Sequence, residues 1–201
     1  MHQPTRRVAV ALPLTVLLAL LTACESGTGT RISGDARTVA TPSGRAPASG
    51  TPATPTRVTV PSLGIDSALL PLGLNGDGTV EVPPADQGMT AGWYTGGPAP
   101  GERGPAVIIG HNDTRFGKAV FHDLRKLRKG ADITVRNSAD KTAHFTVTAT
   151  ETVSKRTFPT RKVYGATNSR ALRLITCDGA FDAQGHPVDN LIVYAELEPG
   201  A

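Results

Sequence analysis

The chain has 201 residues and a formal charge of +4, which falls to +2 when Arg6 and Arg7 of its N-terminal segment are set aside. So small a basic excess argues against a nucleic-acid partner, whose binding is driven by counterion release. Its two cysteines, Cys24 and Cys177, fall in segments of different character, which leaves one thiol in the folded part with nothing to pair with.

Arg6-Arg7, the apolar stretch Val8 to Leu21 and the small residues before Cys24 follow the order of a secretion signal. The stretch is short for a membrane span, which needs about 20 apolar residues, and Pro13 interrupts it. Leu21-Thr22-Ala23-Cys24 resembles a bacterial lipobox, in which the cysteine is lipidated and becomes the first mature residue. The resemblance implies a signal peptide over 1–23 with lipid on Cys24. An uncleaved signal anchor is the alternative, and either one tethers the chain at the outer face of the cytoplasmic membrane.

Residues 24–56 are rich in Gly, Ser, Thr, Ala and Pro and read as a flexible stalk, stiffened locally by Thr-Pro pairs. Residues 57–201 have the size of one domain able to bury a core. Within it, short apolar or alternating runs separated by turn residues predict a mostly β fold. The expected strands are Arg57–Val60, Ala68–Leu72, Val80–Val82, Ala106–Ile109, Ile133–Arg136, Ala143–Val153, Leu172–Thr176 and Leu191–Leu197. Asn75-Gly76-Asp77-Gly78 and Ser138-Ala139-Asp140-Lys141 read as tight turns. Helix is sparse: Val120 to Leu127 has helical spacing and stops at Gly130, and a short turn follows Pro159. This many short strands suggest a barrel or a sandwich. The basic run Arg125-Lys126-Leu127-Arg128-Lys129 reads as a solvated helix face.

Cys177 ends the apolar run Leu172 to Thr176, so its thiol is expected at the tip of a buried strand. A free cysteine is also a good small hydrophobe for a core, and both readings stand on this residue alone. A nucleophilic thiol needs a partner, because at an ordinary pKa near 8.5 it is mostly protonated, and the usual partner is histidine. His111 follows the apolar run Ala106 to Ile109 and should emerge from the end of another core strand. His122 falls in the helical stretch, His144 within a strand and His186 in a Gly/Pro loop.

Several segments, taken in order, resemble the sortases, the cysteine transpeptidases of Gram-positive surfaces, and most of all their actinobacterial class F. They are Val60-Pro61-Ser62-Leu63-Gly64-Ile65-Asp66, Gly104 to His111, Ala119-Val120-Phe121, Phe158-Pro159-Thr160, Leu172 to Cys177 and Asp189 to Ala195. The resemblance implies an eight-stranded sortase-type β-barrel with one or two short helices, with His111 as catalytic histidine and Cys177 as nucleophile. It implies a thioacyl enzyme formed from a Leu-Pro-x-Thr-Gly-type sorting signal. An amine acceptor at the cell envelope, such as a peptidoglycan precursor or a pilin lysine, would then resolve it.

The family also uses an arginine between the cysteine and the last strand, and Asp178 to Leu191 contains neither Arg nor Lys. His186 or the Asn190 amide could substitute, or an arginine from elsewhere such as Arg115, Arg156 or Arg173. Losing one oxyanion donor costs about 10² to 10³ in rate, so a weakly active or inactive lipoprotein that binds sorting signals or wall components is the alternative reading. Asp178 is expected to oppose the Cys177 thiolate by like-charge repulsion. Specificity is expected to lie partly in the loop Lys155 to Ser169. No cofactor is implied, and Cys177, His111 and His186 lack the short paired spacings of a zinc site.

Overall fold

The computed structural model describes residues 53–199. The expected signal, lipobox and most of the stalk lie outside these residues. Among the described residues there are ten strands: β1 (Pro55–Val60), β2 (Ile65–Leu72), β3 (Ala91–Tyr94), β4 (Gly104–Ile109), β5 (Asp113–Thr114), β6 (Gly117–Lys118), β7 (Asp132–Asn137), β8 (Thr142–Ser154), β9 (Arg170–Phe181) and β10 (Pro187–Leu197). Eight of them close a barrel in the order β1-β2-β3-β4-β9-β10-β8-β7, while β5 and β6 form a separate small ribbon. The eight-stranded barrel expected from the resemblance is therefore present. One short helix, α1 (Thr160–Tyr164), begins right after Pro159.

Period-two alternation divides the barrel wall into two faces. Ala106 and Ile108 of β4, Leu172 and Leu174 of β9, and Leu191, Val193 and Ala195 of β10 point into the barrel, where Phe121, Leu124 and Phe145 complete the core. Their neighbours Val107, Ile109, Ile175, Ile192 and Tyr194 form a second cluster on the outside, covered by Val163 of α1 and by Phe158 and Tyr164. A strand buried on both faces reads as a near-continuous apolar run, which is why Ala106–Ile109 and, with Arg173 and Thr176 as buried exceptions, Leu172–Thr176 stand out in the sequence.

Two pairings in the barrel are parallel, β2 with β3 and β4 with β9. Parallel neighbours cannot be joined by a tight turn and require long crossovers. The first crossover is 73–90; the second, 110–169, carries the β5–β6 ribbon, the β7–β8 hairpin and α1.

Several local expectations are corrected. Val80–Val82 makes only a single bridge, Leu74 to Val80, because Pro83 and Pro84 follow and supply no amide donors. The helix expected over Val120 to Leu127 is a chain of turns with a 3-10 segment at Leu124–Lys126. The amides of His122, Leu124, Lys126 and Leu127 donate three residues back, to Ala119, Phe121, Asp123 and Leu124 at 2.9–3.0 Å, so the segment winds as successive turns rather than an α-helical ladder. Strand β3 escaped notice because Gly92 breaks its pattern. A Cβ there would lie 2.5 Å from Leu72 Cδ1, so the glycine is what lets β2 and β3 approach. Strand β1 begins at Pro55, two residues ahead of the expected start. Both expected tight turns are present: Gly78 donates to Asn75 at 2.9 Å, and Asp140 donates to Asn137 at 3.0 Å.

Candidate active site

Strands β4 and β9 run side by side in parallel register, Ile108 opposite Leu174 and Ile109 opposite Ile175. The Gly110 amide adds one more bond, to the Ile175 carbonyl at 3.1 Å. His111 and Cys177 each follow two residues after the last paired isoleucine. Both line one cavity of about 490 Å³ on the outer face of the barrel. Cys177 is a free, partly exposed thiol rather than a core residue. It does not cap its strand, as expected, because β9 continues to Phe181. What ends beside Cys177 is the pairing with β4; on its other side the residue stays paired to Asn190 of β10.

The cavity is walled by the two crossovers. Residues 78–80 and Val82 come from the first, and Phe158, Thr160 and Tyr164 from the second. Tyr164 stacks edge-on against Tyr94 with ring centroids 5.9 Å apart, and burial pushes its hydroxyl pKa up. Thr176 also borders the cavity, but in register it shares the inward face of Leu172, Leu174 and Leu191, and its buried hydroxyl has no hydrogen-bond partner among the described residues.

His111 is oriented by the first crossover: its Nε2 lies 2.7 Å from the Pro83 carbonyl oxygen. A carbonyl only accepts, so Nε2 carries the hydrogen, and in the neutral ring Nδ1 is left as the base. The other histidines are engaged elsewhere. His122 Nδ1 meets Asp113 Oδ1 at 2.8 Å, and His144 is exposed on β8.

Of the groups expected to stand in for the arginine, Asn190 alone reaches the cavity. His186 sits in the exposed hairpin tip, its amide donating to Asp182 at 2.8 Å, and does not line the site. Arg173 lies on the same face as Cys177, but four residues back along β9, about 13 Å away at the rise of a strand. It is 8% exposed rather than on the surface: its guanidinium lies 4.7 Å from the Tyr194 ring centroid and donates to the Leu172 carbonyl at 3.0 Å. Arg115 is stacked on Phe116.

Two features escaped the sequence. Lys155, the first residue of a 3-10 turn after β8, directs its Nζ to within 3.4 Å of Cys177 Sγ. The only signal for it was a place in the loop expected to shape specificity. The carboxylate of Asp178 is not free beside the thiol, as expected, but pairs with Arg125 Nη2 and accepts from Thr152 Oγ1 at 3.0 Å. Arg125, read as part of a solvated face, thus has a fixed partner. Among the described residues no group of three or more His, Cys, Asp or Glu could hold a metal, and no helix is long and apolar enough to cross a membrane.

A sortase domain model matches residues 58–198. Solved structures share the fold at low identity. Group B Streptococcus pilus island 1 sortase C2 aligns with a TM-score of 0.55 and 20% identity, over 72% of this chain and 73% of that one. Sortase C-1 from Actinomyces oris gives 0.57 and 21%, over 72% and 73%; sortase A from Corynebacterium diphtheriae gives 0.58 and 18%, over 77% and 64%. No curated protein matches significantly in sequence.

Proposed function

The chain belongs to the sortase family, and on that premise we propose that it is a cysteine transpeptidase whose nucleophile is Cys177 and whose proton carrier is His111. The observation that carries this reading is the parallel register of β4 and β9, whose mutual pairing ends at one cavity lined by both residues. Bringing reacting groups together in this way removes much of the entropic part of a barrier.

In acylation, the Cys177 sulfur attacks the carbonyl carbon of the Thr-Gly amide in a Leu-Pro-x-Thr-Gly-type signal. The C–S bond forms, the C–N bond breaks, and the departing amine takes a proton from His111. In the second step an amine acceptor attacks the thioester, passes a proton to His111 and releases Cys177. Because Nε2 is held by Pro83, Nδ1 is the nitrogen that exchanges these protons. The Asn190 amide, across from Cys177, is the group in this reading that contacts the substrate carbonyl.

The substrate class follows from the family, and the acceptor is a peptidoglycan precursor amine or a pilin lysine. The motif pattern from Val60-Pro61 through Asp189 to Ala195 supports class F. The N-terminal Arg6-Arg7, apolar stretch and Leu21-Thr22-Ala23-Cys24 support work at the outer face of the cytoplasmic membrane, held by lipid on Cys24 or by a signal anchor.

The test is incubation with a quenched Leu-Pro-x-Thr-Gly-type peptide, with and without an amine acceptor, beside Cys177→Ala. A thioacyl adduct on Cys177 by mass spectrometry and an acceptor-dependent product are expected. Peptide binding with no adduct would identify a binder instead.

A further inference from the structure

We propose that Lys155 is the cationic catalytic group of this site, touching the reacting sulfur and neutralising the negative charge that acylation develops. The assignment rests on the transpeptidase reading above, but its observations are separate.

The first is register. Val153 of β8 pairs with Asn190 of β10, and Asn190 pairs with Cys177 of β9, so the three lie in one row across the sheet. Lys155 stands two residues past Val153, where β8 gives way to a turn held by the Arg156 amide donating to Ser154 Oγ at 3.3 Å. Neighbouring strands are about 4.8 Å apart, so a long side chain leaning back over Asn190 spans the row and arrives at the sulfur. The observed Nζ to Sγ distance of 3.4 Å is that arrival. A shorter residue at 155 would not make it.

The second is charge. Among the described residues, the ammonium of Lys155 makes its hydrogen bond to Cys177 Sγ, and the carboxylate nearest along the chain to the nucleophile, Asp178, is taken by Arg125 and Thr152. The hairpin-tip carboxylate Asp182 is held below the usual range chiefly by its bond from the His186 amide, with Lys155 adding a small attraction. The positive charge at the sulfur is therefore not cancelled by the acid beside it.

Chemically, an ammonium has three donors and no acceptor. It can bond a thiolate before attack and the carbonyl oxygen afterwards, when the negative charge has moved to an atom one bond from the carbon attached to sulfur. Charge-assisted bonds of this kind are about twice as strong as neutral ones. Asn190, neutral and opposite Cys177, cannot supply that charge; Lys155 brings it from the neighbouring strand end.

The full-length chain, purified in detergent, would be compared with Lys155→Ala, Lys155→Arg and Lys155→Glu. Two readouts are needed. The first is the rate ratio for alkylation of Cys177 by anionic iodoacetate against neutral iodoacetamide, with the adduct located by peptide mass mapping; it reports positive charge at the sulfur without any peptide substrate. The ratio should fall several-fold in Lys155→Ala, further in Lys155→Glu, and be kept by Lys155→Arg. The second is acylation by the quenched peptide, where Lys155→Ala should lower kcat/KM about 10²-fold, the lower end for loss of one oxyanion donor, with Lys155→Arg partly restoring it.

An unchanged reagent ratio in Lys155→Ala overturns the assignment. So does a changed ratio with unchanged acylation, which would make Lys155 a bystander, or an acyl group mapped to Lys155, which would make it a nucleophile. A wild-type chain that forms no adduct with peptide overturns the transpeptidase reading instead, and the reagent ratio then still decides whether Lys155 charges the sulfur. Lys155 is exposed, and thermal melts of the variants exclude loss of fold.

Discussion

His111 and Cys177 each lie two residues beyond the Ile109–Ile175 pair of the parallel strands β4 and β9, His111 just past the end of β4 and Cys177 still within β9. Such a relationship depends on the backbone ladder alone. It survives side-chain substitution at either position, which makes the two residues separable by experiment. Replacing His111 with Ala should lower acylation by about 10²- to 10⁴-fold, the usual contribution of a positioned acid–base group. The Cys177 adduct should still form slowly, whereas Cys177→Ala should form none; single-turnover mass spectrometry distinguishes them.

Gly110 is where the ladder hands over to His111. A Cβ at this position would lie 2.7 Å from both Phe121 Cδ2 and Val120 Cγ1, and Phe121 is wholly buried. Gly110→Ala should therefore destabilise the fold by about 1–3 kcal/mol, the cost of overpacking. It should also displace His111 from the Pro83 carbonyl. Urea unfolding measures the first effect and kcat/KM the second.

Arg125 and Asp178 test how the site tolerates a carboxylate next to its nucleophile. Removing the guanidinium in Arg125→Ala leaves Asp178, whose side chain is only 13% exposed, with Thr152 as its remaining partner. Acylation should fall about fivefold, corresponding to the roughly 1 kcal/mol of a favourable solvent-accessible pair. Asp178→Asn in the same background should restore most of it. A double-mutant cycle on acylation rate checks the coupling.

Tyr164 sets an alkaline limit. Burial raises its hydroxyl pKa above the unfolded value of about 10, and burial also raises Tyr194. Each group's contribution to stability is complete below the unfolded value and is lost as pH rises through the folded one. Stability should therefore decline above about pH 10, and Tyr164→Phe should make that decline shallower while leaving neutral stability nearly unchanged. Urea midpoints collected across the alkaline range provide the check.

Phe121 plugs the barrel beneath the site and is fully buried in the main core. Phe121→Ala should cost about 3–5 kcal/mol, and calorimetry or urea titration would show it. Activity should suffer as well, because relaxation of the backbone into the cavity would move the Phe121 amide, which donates to the His111 carbonyl at 2.9 Å.

How far the site could be read from the chain follows from how each part is encoded. The runs before His111 and Cys177 are largely apolar, Arg173 and Thr176 being buried exceptions, because β4 and β9 are buried on both faces. That pattern is local, so it locates both strands and the reactive residues that follow them. The tight turns at 75–78 and 138–141 and the stop before α1 at Pro159 are equally local. The Val120 to Leu127 segment misleads because its apolar residues Val120, Phe121, Leu124 and Leu127 fill the barrel core while its backbone bonds close tight turns three residues back rather than a helix.

Residue patterns gave a mostly β fold, and motif order, through the resemblance to sortases, gave the closed barrel and singled out Cys177 as the proposed nucleophile. The surroundings of the thiol were decided only by the tertiary structure: the Pro83 carbonyl on His111, the Arg125 guanidinium on Asp178 and the Lys155 ammonium on Cys177. All three arise from irregular stretches of the crossovers that parallel pairing makes unavoidable, stretches that carry no period of two or 3.6 residues. A contact between residues brought together by such a crossover leaves no trace in either residue's own neighbourhood, so only the closed barrel reveals it.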